Sequence, residues 1–132
     1  MDASNLSFED NSFDAIYICW VLEHVSNPQK IVDECYRVLK KGGVISISEV
    51  QNNNLHIVPN SSFILDYWSK YNTIQLELGG NPYVGVEIGN FIFNAGFNEI
   101  INLSRNFLLD NNYPTERETM VDYWTNLLLS GF

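Results

Sequence analysis

The stretch Phe13 to Val50 constrains the fold most, because an apolar run, a capped amphipathic helix, a Gly-Gly pair and an alternating segment follow one another without a break. Phe13 to Leu22 (FDAIYICWVL) is continuous, of strand length and rich in β-branched and aromatic side chains, the pattern of a strand buried on both faces. Double burial belongs to inner strands of parallel sheets covered by helices on each side. Ser26-Asn27-Pro28 then predicts a helix start: Asn27 can accept an orphan backbone N–H, and Pro28 has none to lose at the first helical position. Ile31, Val32, Cys35, Val38 and Leu39 recur at helical steps, with Lys30, Asp33, Glu34, Arg37 and Lys40 on the solvated side. Gly42-Gly43 is expected to stop this helix, with Lys40 and Lys41 beside its carbonyl end and Asp33 paired to Arg37. Val44 to Val50 alternates as a second strand. The order defines a right-handed βαβ crossover, hence an α/β fold with a parallel sheet core and flanking helices.

Further along, Ile64, Tyr67, Trp68, Tyr71, Ile74 and Leu78 recur with helical spacing and predict a helix over about 61–78 that Gly79-Gly80 ends. Asn81-Pro82 predicts another, with Val84, Ile88, Phe91, Ile92 and Ala95 as its apolar stripe and Gly96 as its stop. Residues 98–109 read as a strand interrupted by polar Asn102 to Asn106. Thr115 with Glu118 reads as a capping box for a last helix that buries Met120, Tyr123, Trp124, Leu127 and Leu128 and reaches about Ser130. No repeat or composition shift marks a boundary, so 1–132 is expected to be a single domain.

Charge narrows the partners. Asp and Glu outnumber Lys and Arg by 16 to 7, a formal net charge of -9 that repels phosphate backbones and anionic lipid. Nucleic acid and membrane are therefore not expected as partners, and a cytoplasmic location is expected. Cys19 and Cys35 lie in apolar contexts and read as small hydrophobes; His24 and His56 are too isolated for zinc, so no metal is expected.

Four segments in fixed order carry a family resemblance: Asp2-Ala3-Ser4-Asn5-Leu6-Ser7-Phe8, Asn11-Ser12-Phe13-Asp14, Val21-Leu22-Glu23-His24-Val25, and Arg37-Val38-Leu39-Lys40-Lys41-Gly42-Gly43. Together they resemble the class I S-adenosylmethionine-dependent methyltransferases that act on small molecules, and Asn94 to Phe97 resembles a later turn of the same family. Ser7 and Lys41 depart from the family's usual prolines. The resemblance implies a partial Rossmann-like fold with its first strands absent, and S-adenosylmethionine as cofactor. It implies cofactor contacts at Asp2, Ala3 and Ser4 beside adenine and at Cys19, Trp20 and Val21 beside the methionine part, where the Trp20 face would favour the cationic sulfonium. Tyr67, Trp68 and Tyr71 are candidate walls of a substrate pocket, although their spacing equally suits core packing. Glu23 and His24 invite an acid/base role. The resemblance implies a structural one instead, and no catalytic side chain is assigned, since methyl transfer is chiefly alignment.

No strand with a glycine-rich turn precedes Asp2, so cofactor binding by this chain is expected to be weak or absent and the isolated chain inactive. The same feature leaves the Phe13 to Leu22 strand with an open edge, which predicts a homodimer or strand-swapped assembly. Two functions follow as expectations: methyl transfer to a small-molecule acceptor, or a non-catalytic remnant that dimerises through its exposed strand.

Overall fold

The computed structural model describes residues 1–130; the side chains of Leu127, Leu128 and Ser130, two of them expected on the buried face of the last helix, lie outside the described residues. The chain divides into two compact units, Met1–Ile101 and a second one from Asn102 onward. The first contains β1 (Phe13–Cys19), α1 (Pro28–Val38), β2 (Leu39–Ser48), α2 (Ser62–Glu77) and α3 (Ile88–Asn94); the second contains α4 (Pro114–Ser130).

β1 and β2 pair in parallel as expected, with Ile16 opposite Ile45 and Ile18 opposite Ile47. Asn27 caps α1 as its spacing predicts, its side chain accepting from the Lys30 N–H, with Pro28 in the first turn. The helix stops earlier than expected. The Arg37 and Val38 carbonyls accept the Asn11 and Ser12 N–H groups at 3.1 and 2.8 Å, so the segment before β1 satisfies the helix end and Leu39 passes directly into β2. Gly42-Gly43 therefore terminates nothing: with Lys40 and Lys41 it forms a bulge opposite Asp14, where Gly42 takes φ 83° and a Cβ on Gly43 would press on the Lys40 and Asp14 carbonyls. Lys40 Nζ bonds both Asp14 oxygens at 2.9 Å instead of facing the helix end.

Ile18, Leu22, Ile31, Val32, Cys35 and Val84 form the core, flanked by Ile16, Ile45, Ile47, Phe91 and Ile92. Ile16, Ile18, Ile45 and Ile47 share the core face, while Tyr17 is 68% exposed on the other. β1 is thus covered on one face, not two, because α1 and α3 both pack on the isoleucine side.

α2 corrects the expected stripe. Its buried residues are Asn72 and Gln75, whereas Ile64, Tyr67, Ile74 and Leu78 are exposed. The helix lies against a buried polar residue, Asn52, and the backbone of Glu23, so its inner positions carry hydrogen-bonding side chains in place of apolar ones. Asn81 accepts the Tyr83 N–H at 2.9 Å and starts a single 3-10 turn, Val84–Val86, before α3; Gly96 follows α3 at φ 97°. The strand expected at 98–109 does not form: among the described residues no strand lies alongside to share a ladder, and Ile101, Leu103, Phe107 and Leu108 are exposed. In the second unit Pro114 is the first helical residue, so Thr115 lies inside α4 and the capping box is not made. Tyr123 and Trp124 meet edge to face at 6.1 Å.

Candidate cofactor site at the strand ends

The end of β1 builds a constrained turn. Trp20 continues the pairing through its N–H to the Ser48 carbonyl at 3.0 Å, then adopts a left-handed φ of 54°. That conformation costs a residue with a Cβ roughly 1–2 kcal/mol. Val21 returns to the right-handed region, and consecutive residues of opposite hand turn their N–H groups into one concavity, which suits an anion. Glu49 supplies it: its Oε1 accepts from Val21 N at 2.8 Å and Leu22 N at 2.7 Å. Leu22, fully buried, anchors the turn in the core. The Trp20 and Val21 amides are therefore bonded internally and are not donors to a ligand. Cys19 is exposed, and Trp20 and Val21 are each 39% exposed.

Beside this turn lies a buried polar cluster. The Glu23 carbonyl accepts from Asn81 N at 2.7 Å and Gln75 Nε2 at 3.1 Å, and its Oε2 accepts from Gln75 Nε2 at 3.0 Å. Gly80 has to be glycine because a Cβ there would collide with the Glu23 carbonyl. The His24 ring has Nε2 3.6 Å from Glu23 Oε1 and Nδ1 3.5 Å from Gln75 Nε2. Both ring nitrogens face the protein's own groups, which suits the structural role. Burial raises the Glu49 carboxyl above its ordinary range, and the nearby Glu23 charge adds to the shift. Glu49 Oε2 is buried without a hydrogen-bond partner. Burial also pushes the Tyr71 phenol up to about 12, with Glu23 and Tyr67 contributing.

Tyr67, Trp68 and Tyr71 stand on α2 at the edge of this cluster. Trp68 Nε1 donates to the Asn52 carbonyl at 2.8 Å, and the Trp68 and Tyr71 rings stack at 5.3 Å and 10°. Asn52 Nδ2 donates to Asn72 Oδ1 at 2.9 Å beneath them, and Tyr67 is the more exposed of the aromatic group.

Asp2, Ala3 and Ser4 form a separate turn. Asp2 Oδ1 accepts from Ser4 N at 2.8 Å, which holds the carboxylate below its ordinary pKa and ionised. Ala3 packs on the core cluster that also receives Leu22. This segment is held to α1: Leu6 N donates to Glu34 Oε2, and Arg37 reaches the Leu6 and Phe8 carbonyls, Asp10 and both Glu34 oxygens. The expected Asp33–Arg37 pair is replaced, because Asp33 accepts from Gln29 Nε2 at 2.8 Å.

Glu49 and Gln75 escaped the sequence reading, whereas Asn52 lies in the polar run Gln51 to Asn54 after the second strand, the loop where doubly wound sheets place ligand contacts. Glu49 carried a signal. In the alternation of β2, Ile45 and Ile47 point into the core, and Glu49 occupies the next inward position, where a charge needs a built-in partner.

The donor chemistry fits an uncharged base and a cationic sulfur better than a phosphate. An ionised Asp2 suits the exocyclic amine of adenine, and the exposed part of Trp20, beside Glu23 and Glu49, suits a cation. Among the described residues no group of His, Cys, Asp and Glu could hold a metal ion.

A parallel βαβ unit with polar groups at its strand ends has the Rossmann-like α/β arrangement. Residues 1–47 match the family model described as a methyltransferase domain. The chain is 52% identical over 48 residues to a demethylmenaquinone methyltransferase of Clavibacter sepedonicus, covering 36% of this chain and 20% of that relative. It is 42% identical over 57 residues to a ubiquinone/menaquinone biosynthesis C-methyltransferase of Ruegeria, covering 41% of this chain and 23% of the relative. The chain thus spans about a fifth of the length of the curated relatives it matches. A SAM-dependent methyltransferase of Thermotoga maritima superposes with a TM-score of 0.55 at 26% identity, over 74% of this chain and 44% of that one. A Bacillus halodurans protein described as a methyltransferase shares the fold, with a TM-score of 0.50 at 24% identity over 74% of this chain and 43% of its own. Over residues 1–47 the chain is thus similar to the class I S-adenosylmethionine-dependent methyltransferases, a family whose cofactor is S-adenosylmethionine.

Proposed function

We propose that the chain takes part in S-adenosylmethionine-dependent methyl transfer to a small-molecule acceptor, with the strand-end turn at Cys19 to Leu22 facing the cofactor. The observation that carries this reading is the coincidence of that turn, held by Glu49, with the segment that matches the methyltransferase family model. When bound, S-adenosylmethionine supplies the activated methyl. The Asp2 carboxylate accepts from the adenine amine, Ala3 lets the base approach, and Ser4 keeps Asp2 ionised through its N–H. Trp20 offers an indole face to the cation, and Cys19 and Val21 line the same turn. Among the described residues no glycine-rich turn follows a strand, so the affinity of this chain alone is weak.

A flat acceptor ring fits the Trp68–Tyr71 stack, with Tyr67 at its rim, and the names of both relatives above point to quinone-type acceptors. A cytoplasmic site of action belongs to the same reading, supported by free Cys19 and Cys35. No helix of the described residues is long and apolar enough to cross a membrane.

Titration with S-adenosylhomocysteine followed by amide chemical shifts tests the reading. Saturable shifts at Ala3, Ser4, Trp20 and Val21 are expected, weakened by Asp2→Ala and Trp20→Ala. Saturation with no change at these positions rejects it, as does low-micromolar affinity that both substitutions leave intact.

A further inference from the structure

The β1 exit turn is held in an unfavourable conformation by one side chain that the family match does not reach, since the matched segment stops at residue 47. Trp20 is left-handed, and neither Gly nor Asn eases that conformation. What opposes the cost is the convergence of the Val21 and Leu22 N–H groups on Glu49 Oε1. A carboxylate at an inward strand position is expensive unless it serves such donors. The second oxygen, Oε2, is buried and takes no hydrogen bond. A residue that merely kept the strand end polar would expose that oxygen to water.

We propose that Glu49 is the positioning residue of the cofactor-facing turn, its carboxyl filling the nest made by Val21 and Leu22 and thereby fixing Trp20 against the cofactor's methyl-bearing end. The inference rests on the proposed function for its cofactor half only. Among the described residues Glu23 on the 3-10 turn is the charged group that acts on Glu49, and Glu23 itself lies 3.6 Å from the His24 ring and influences the Tyr71 phenol. Glu23 is negative, so it opposes ionisation of Glu49, as burial does. Glutamine in place of Glu49 retains an oxygen for both amides and loses the titration.

Amide spectra of the 132-residue chain, of Glu49→Gln and of Glu49→Ala, recorded across pH, decide the matter. In the native protein the Val21 and Leu22 amides are expected to move together with one midpoint above 4.5, the ordinary glutamate value. Glu49→Gln keeps both amides slow to exchange and abolishes their titration, and it binds S-adenosylhomocysteine like the native protein. Glu49→Ala releases both amides and weakens that binding at least about fivefold, the loss of a buried charge-assisted bond. Unchanged Val21 and Leu22 amides in Glu49→Ala overturn the proposal. So does persistence of their titration in Glu49→Gln, a readout that holds even where the alanine variant does not fold. If the native chain shows no saturable binding while the amides behave as stated, the proposed function and the cofactor half fall, and Glu49 stands as the residue that sets the turn.

Discussion

Arg37 and Glu34, one turn apart on α1, grip each other at 2.9 and 2.8 Å while Arg37 also reaches the Leu6 carbonyl at 3.0 Å. The pair ties a segment without secondary structure to the helix that supports the sheet, and so fixes the approach of Asp2 and Ala3. Arg37→Met is expected to raise amide exchange at Leu6, Asn11 and Ser12 by about tenfold or more while exchange in β2 changes little. Arg37→Lys recovers only part of this, because an ammonium lacks the planar fork that spans Glu34. Equal exchange in all three proteins would contradict the clasp.

The stability of the chain is expected to depend on pH through two glutamates of opposite sign. Glu34 is lowered from 4.5 to about 2, chiefly by its hydrogen bonds to Arg37 and then by the Leu6 N–H. Its contribution is therefore present above pH 4.5 and is lost as pH falls from 4.5 toward 2. Glu49 is raised from 4.5, so the folded state gains from its protonation and loses that gain as pH climbs through the raised value. Thermal unfolding measured between pH 2 and 8 should show Glu34→Gln flattening the acid limb and Glu49→Gln flattening the other.

The crossover is legible in the sequence because its signals are local: Asn27-Pro28 starts a helix whichever way the rest of the chain packs. The extent of α2 is legible too, with Ser61 and Leu78 as its caps, but its inner face is not, because the residues buried there, Asn72 and Gln75, are chosen by partners distant in sequence, Asn52 and Glu23. An apolar stripe read alone cannot reveal that a neighbouring surface is polar. The same holds for Gly42-Gly43, whose helix-stopping role is taken over by the Asn11 and Ser12 N–H groups. Within the candidate site, family resemblance singles out the motif residues, and Glu49 is visible only as a charge at the inward position that follows Ile45 and Ile47.

Two adjacent glycines separate steric from conformational cost. At Gly80 a Cβ runs into the Glu23 carbonyl, and Gly80→Ala is expected to destabilise by about 2–3 kcal/mol. At Gly79 the space is open, with Ser26 Cβ the nearest atom at 3.8 Å, but φ is 88°. Gly79→Ala should cost only about 1–2 kcal/mol, the price of a left-handed residue. Urea unfolding that ranks Gly79→Ala as the worse change would show that the α2–α3 connection does not bear on Glu23.

Trp20 offers a complementary comparison. Trp20→Ala and Trp20→Gly both remove the indole, and only alanine keeps the Cβ that opposes φ 54°. Trp20→Gly is therefore expected to be more stable than Trp20→Ala by about 1 kcal/mol in urea unfolding, with both losing cofactor affinity. The reverse order would mean that the turn relaxes once the ring is gone.

The edge of the sheet motivates a prediction about assembly. Among the described residues it has two strands, so β1 bonds β2 along one edge and has no strand along the other. Its sequence there, Ala15 to Cys19, lacks charge and proline, the features that keep edges from pairing. We expect this edge to take up a second copy of the chain, aligned by backbone hydrogen bonds and by Tyr17 on the uncovered face. Sedimentation at micromolar concentrations should show concentration-dependent dimerisation, reduced by Tyr17→Lys, whose side chain is solvent-facing and whose replacement leaves the isoleucine core untouched. A well-folded monomer over the whole range would mean that the edge is protected by the chain's own geometry and does not self-associate, while the turn and its Glu49 latch would be unaffected.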